Sequence, residues 1–326
     1  MKADGSAAGD PRPWIPPLPT PFELATGSGA GLAAALSAPV MRGVVRRGFA
    51  SLFGAPSKDA IVREDPGSGA GWFAPDSVAW RVHADAAVLV AMNTAFALQA
   101  LHPRAMAAVW DHSGFGGDFF GRTRRTGEFV LGVVYEPSEA SERRCAELRK
   151  LHDRIVGHTP DGRPYAANDP ELLEWVHVAE YLAIAAANRR FAAHPMNRAE
   201  LDQYVAEVAR VGEEVGVIDA PRSWEELIAA FRRHRPNLAL GEQAAAAVEF
   251  LEGPPMLPAL ARPVWRALWA GAVVCLPPVG RTLMRTVEPP LVEVAACRAV
   301  VRSFGRFLGD PFQLRLARQR LGQPAG

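Results

Sequence analysis

The stretch SVAWRVHADAAVLVAMNTAFALQAL, residues 77–101, decides the fold class, because it is almost wholly apolar, shows no period-two alternation and runs into His102-Pro103. A helix that is hydrophobic all round is a buried one. Proline disfavours the helical conformation at the residue before it and suits the first turn of the next helix. The spacing therefore predicts one long buried helix over 77–101 and a new helix from Pro103.

Helical patterns continue on both sides of later turn signals. Ser138, with Glu139 and Glu142 in the first turn, opens a helix expected to reach Val156. Asp169 and Pro170 have the cap and first-turn chemistry for a helix to about Arg190, and Asn197/Glu200 and Ser223/Glu226 have capping-box spacing. The one strand candidate is the β-branched run within Glu128–Tyr135. These readings give an all-α protein: a single large helical domain with a Pro/Gly-rich N-terminal arm over 1–70, a helical body over 71–252, and a C-terminal helical extension over 253–326 set off by Gly253-Pro254-Pro255. Within the arm, an amphipathic piece from Ala33 to Phe53 is expected to dock on the body.

The 326 residues are 49% apolar and 22% charged with a net charge of +1, which excludes the disordered and collagen-like classes. No bulk positive field favours nucleic acid. Only three of the 36 cations are lysines (Lys2, Lys58 and Lys150), so fixed arginine charges dominate. Cys145, Cys275 and Cys297 form no CxxC and no disulfide framework, and Met-Lys-Ala-Asp-Gly-Ser carries no apolar export signal, so a cytoplasmic location is expected. The uncharged run Ala267–Gly280 is too short and too proline-broken for a membrane span.

Residues 281–326 hold eight arginines against Glu288, Glu293 and Asp310, a +5 segment. Arg298, Arg302 and Arg306 make a stripe beside Val301, Phe304, Phe307 and Leu308, which reads either as a helix packed on the body with a solvated arginine face or as a peripheral contact with an anionic membrane.

Histidines supply the candidate chemistry. On the helix from Ser138, Cys145, Leu148, Leu151, Ile155 and Val156 define an apolar face on which His152 sits, with Arg149 one turn before it. Arg122, Arg125, Thr126 and Phe129 share a face if their segment is helical. One imidazole on an apolar face with arginines nearby suits a buried porphyrin: an axial nitrogen for iron, a dry wall, and guanidinium partners for propionates. It equally suits a core histidine bonded to a backbone carbonyl. Glu174-Trp175-Val176-His177 has the Glu-x-x-His spacing of a di-iron bundle, but no second such pair occurs. Nucleotide, zincin and α/β-hydrolase motifs are absent from the sequence.

Several blocks in one order are more specific than any single motif. Asp76–Arg81, Leu98–Pro103, Asp111-His112-Ser113, Gly121–Thr126, Arg149–Gly157, Tyr165–Pro170 and Leu173–His177 resemble the rubber-oxygenase (latex-clearing protein) and mpaB-type oxygenase catalytic domain from about Gly71 to Phe250. The resemblance implies an oxidoreductase: a helical domain with a buried pocket for haem b, using dioxygen on an apolar small-molecule or lipid substrate, often isoprenoid. It implies His152 as the iron ligand, Arg149 and Arg122 as cofactor-binding partners, and Arg125 with Thr126 as catalytic distal groups. His102, His112 and His177 also match family positions, read as structural or pocket-lining groups. Rubber-cleaving members carry lysine where this chain has Arg125, and a guanidinium does not readily lose its proton to ligate iron, so the distal site is expected to be open or water-filled. A non-catalytic helical carrier of an apolar ligand is the alternative from another class, and a di-iron oxidase a further one.

Overall fold

The computed structural model describes residues 68–112, 119–307 and 309–323. The apolar run splits into two helices, α1 (Val78–Ala84) and α2 (Val88–Ala100). The expected single helix fails at Asp85, whose carboxylate accepts the Ala87 N–H at 2.8 Å and the Ala193 N–H at 3.2 Å. A side chain that bonds its own downstream backbone competes with the helix ladder, and here it also ties the break to a distant segment. Then follow α3 (Pro103–His112), α4 (Phe119–Tyr135) and α5 (Ser138–His152). The strand candidate at 128–135 is thus helical, with Val133, Val134 and Tyr135 buried.

The helix from Ser138 stops at His152, short of the expected Val156, which instead opens a small antiparallel hairpin of β1 (Val156–His158) and β2 (Pro164–Ala166). Gly162 turns that hairpin at φ +84°, a conformation L side chains rarely adopt. Next come α6 (Pro170–Phe191), α7 (Arg198–Val215), α8 (Trp224–His234), α9 (Glu242–Glu252), α10 (Arg262–Cys275), α11 (Pro278–Met284), α12 (Leu291–Phe307) and α13 (Phe312–Arg320). Local chemistry sets several of these starts as expected. Asp169 caps α6 with Pro170 in its first turn, and Asn197 and Glu200 close a reciprocal capping box on α7. Ser223 accepts the Glu226 N–H, while Glu226 reaches back to the Arg222 N–H rather than to Ser223.

The long α6 lies against α2 at the centre, and α10 packs on α2 from the C-terminal side. Thr94 of α2 donates its hydroxyl to the Val90 and Ala272 carbonyls, joining the two helices without an unpaired buried donor. Trp265, Leu268 and Val273 of α10 and Val294, Cys297 and Val301 of α12 belong to the same hydrophobic core as α2 and α6, so residues beyond Gly253 are built into the body. The apolar side of the basic stripe is consumed there: Val301 and Phe307 are buried, while Arg302 and Arg306 face solvent. Among the described residues no helix is long and apolar enough to cross a membrane. The N-terminal piece at 33–53 and Leu308 lie outside the described residues.

Close approach of α10 and α12 depends on Gly271. A Cβ there would fall 2.3 Å from the Cys297 sulfur. Gly271→Ala is expected to destabilise by about 1–3 kcal/mol through overpacking, in urea melts, with partial recovery in the Gly271→Ala/Cys297→Ala double variant. Equal losses in the single and double variants would count against this contact as the cause.

Candidate functional site

Helices α4 and α5 form an antiparallel hairpin closed by Glu136 and Arg144, which pair through both carboxylate oxygens, and by the Ser141 hydroxyl donating to the Val133 carbonyl. Gly132 makes room for the Arg144 side chain. The start of α4 carries Arg122, Arg125 and Thr126, and the end of α5 carries Arg149 and His152. The helical phase expected for Arg122, Arg125 and Thr126 is present.

His152 is the last residue of α5 and is partly buried. Its Nδ1 is buried with no hydrogen-bond partner among the described residues. Burial lowers the imidazole pKa, with the adjacent Asn168 amide and Asp153 opposing, so the ring is neutral at neutral pH and keeps a lone pair. Asn168 also steadies the helix end by donating to the Arg149 carbonyl at 3.1 Å and to Asp153. The apolar face read around His152 is narrower than expected, since Cys145 is fully buried but Leu151 and Val156 are 53% and 57% exposed. The Val156 difference follows from the chain leaving the helix after His152.

The arginines have unequal surroundings. Arg122 lies over the Phe96 ring at 5.1 Å, and burial, with the neighbouring Arg125, lowers its pKa to about 10. Among the described residues no carboxylate pairs with it. Arg149 donates to the Glu214 carbonyl, near the C-terminal end of α7, where unsatisfied carbonyls favour a cation. Arg125 and Thr126 are exposed. Two shallow hollows on the described surface, one along Arg281 and Arg285, the other beside Trp72 and Glu207, include none of these groups.

The Glu-x-x-His pair diverges. Glu174 turns to α8, accepting from Arg233 at 2.6 Å and bonding His234 Nε2 at 2.8 Å. His177 is buried against α7, where Gly212 leaves the space its ring fills, and stands 4.6 Å from the Tyr181 ring. Burial lowers its pKa to about 4. This split removes the shared face that a di-iron site needs.

A second polar cluster surrounds Trp175. His102 packs at 5.9 Å from its ring and His234 at 5.5 Å, and Glu171 approaches both histidines. Both ring nitrogens of His102 and the Nδ1 of His234 are buried without hydrogen-bond partners among the described residues. The sequence reading missed Glu171 and His234. Each had a sufficient local explanation, an acid in a first helical turn and a cation in a last turn, and they stand far apart in the chain. His112 is exposed, its ring 6.2 Å from Tyr165.

No curated protein and no solved structure matches the chain. A family model does: residues 80–309 match the catalytic domain described as ER-bound oxygenase mpaB/B'/Rubber oxygenase, and the match continues past the boundary read at 252/253. That match spans most of the chain and carries the ordered blocks that hold His102, Arg122, Arg149 and His152; the protein belongs to the mpaB/rubber oxygenase catalytic-domain family.

Proposed function

We propose that the protein is a haem b-dependent oxygenase that uses dioxygen on an apolar, lipid- or isoprenoid-like substrate, with His152 as the residue that would ligate the iron. The observation that carries this reading is the buried Nδ1 of His152, unpartnered among the described residues, on a ring that burial keeps neutral. A neutral imidazole with one ring nitrogen unpartnered among the described residues fits the donor that haem iron takes. Haem bound there supplies dioxygen binding and activation. Cys145, on the same helix, is fully buried and its thiol is pushed up to about 12, so no thiolate competes with His152.

Arg122 remains cationic at neutral pH and offers its guanidinium to a propionate. Arg149 has further N–H donors besides the one committed to Glu214 and serves as the second propionate partner. Arg125 and Thr126 act as distal groups, reached from the exposed side of α4, donating hydrogen bonds and keeping the fixed charge that a lysine there would be able to lose. A cytoplasmic enzyme with an apolar substrate is the setting proposed.

The absorption spectrum of the purified protein tests this. A Soret band that survives dialysis, with one iron per chain, is expected, and His152→Ala should lose it while retaining its helical content. A folded, colourless, iron-free protein would favour the carrier of an apolar ligand instead, and a band retained in His152→Ala would remove His152 as the ligand.

A further inference from the structure

We propose a divalent transition-metal site formed by His102, Glu171 and His234, separate from the residues assigned to haem. Three element ends meet there. His102 immediately precedes α3, Glu171 lies in the first turn of α6, and His234 is the last residue of α8. One ligand atom from each, two imidazole nitrogens and a carboxylate oxygen, all lie within 4.8 Å of one another. Ligands on a tetrahedral zinc ion at about 2.1 Å stand roughly 3.4 Å apart, so closure needs only a modest inward movement of a side chain. Glu171, the most exposed of the three with its side chain 45% exposed, makes it by yielding its contact with Arg104 at 3.2 Å.

The histidines are built for the purpose. His102 is 2% exposed with both ring nitrogens unpartnered, which is costly for an imidazole left without a partner. Burial holds its pKa at about 4, helped by His234, Arg104 and Arg163, so it presents a neutral ring. His234 gives its Nε2 to Glu174 at 2.8 Å, which leaves the buried Nδ1 as the ligand atom. A carboxylate on the far nitrogen is how metal-bound imidazoles are oriented and made more basic. Glu171 is oriented as well: its Oε1 accepts from Asn237 at 2.7 Å and its Oε2 from Arg104 at 3.2 Å, with a lone pair left on each oxygen.

Asp169, Glu171 and Glu174 stand near the cluster paired with Arg104 and Arg233, and Glu171 supplies the one anionic ligand. Two imidazoles and one carboxylate suit zinc, iron(II) or cobalt(II), whereas calcium and magnesium take oxygen ligands. A metal there joins α3, α6 and α8 around Trp175 and leaves a coordination position toward solvent on the Glu171 side.

Zinc distinguishes this site from haem iron. The full chain, stripped with chelator and dialysed against zinc chloride, is expected to retain one zinc per chain by elemental analysis, whatever its iron content. Zinc at 100 times its Kd should raise Tm by about 5 °C. His102→Ala and Glu171→Gln should each weaken zinc binding at least tenfold, and Glu174→Gln, acting through His234, about tenfold. Should His102→Ala not fold, the partly exposed Glu171→Gln decides. Zinc binding unchanged in Glu171→Gln, no zinc-dependent rise in Tm, or an equal rise with magnesium would each overturn the proposal. Loss of the Soret band in His152→Ala leaves these outcomes untouched, so the two readings fail separately.

Discussion

Trp175→Ala is expected to cost about 3–5 kcal/mol, a fall in Tm on the order of 10 °C, measured by urea and thermal unfolding. Trp175 is fully buried in the second turn of α6, where its ring stacks on Phe231 at 6.1 Å and 26° and stands beside His102 and His234. Its indole N–H donates to the Gln99 carbonyl of α2 at 3.4 Å, so the side chain joins α2, α6 and α8 through one group. Truncation loses the burial of a large apolar surface and leaves a cavity whose wall includes two imidazoles with unpartnered nitrogens. Water entering that cavity would hydrate the rings but recover none of the lost contacts, so the cost should stay near the upper part of the range. Trp175→Phe keeps an aromatic ring in the site but gives up the bond to Gln99 and part of the buried indole volume, and should retain more than half of the stability. A loss below 1 kcal/mol for the alanine variant would mean that α6 is not the central support described here.

The contrast between α6 and α2 shows how far the sequence carries. The start of α6 is written in Asp169 and Pro170, whose capping and first-turn roles are local, and the α7 box in Asn197 and Glu200 is equally local. The break at Asp85 was illegible because half of what holds it, the Ala193 N–H, arrives from a segment distant in the chain. The helical outcome at 128–135 has the same character. Its β-branched run is buried by tertiary packing, and Gly132, which weakens a helix in isolation, is where Arg144 of the facing helix rests. For the site, spacing placed Arg122, Arg125 and Thr126 on one helical face and put His152 near Arg149. It had no means of showing that Arg149 donates to Glu214, or that Glu174 and His177 part toward different helices, because both depend on which helix lies alongside. The His102 and His234 pairing was hidden for the same reason. Histidines brought together by the ends of α2 and α8 leave no periodic trace.

Lowering the pH from 7 to 5 is expected to remove roughly 4–6 kcal/mol of stability through three buried histidines, His83, His102 and His177. They are 2%, 2% and 5% exposed, and burial lowers each pKa from 6.5 to about 4. Between those values the unfolded chain binds protons that the folded protein refuses. Stability therefore falls as the pH falls through this window, and above 6.5 both states are neutral and nothing further is gained. At pH 5 each histidine accounts for a loss of roughly 2 kcal/mol. Glu180 works against them. Burial raises its carboxyl to about 7 from an ordinary 4.5, so the folded protein takes up that proton first and acidification relieves a cost. Its side chain is only partly buried in the surface sense, so this opposing contribution is discounted below the value of one histidine. The neighbours differ in kind: His83 shares a hydrogen bond with the Tyr204 hydroxyl at 3.1 Å, whereas His177 has Glu174 nearby, which favours its protonation slightly, and an unpartnered Nε2. Urea midpoints at pH 7 and 5 measure the sum, and His83→Gln, His102→Gln and His177→Gln separate the parts. Each variant loses stability at pH 7 through packing but should become less sensitive to acid by about one proton's worth of slope. A wild-type stability that is flat or rises between pH 7 and 5 would show that Glu180, not the histidines, governs the acid response.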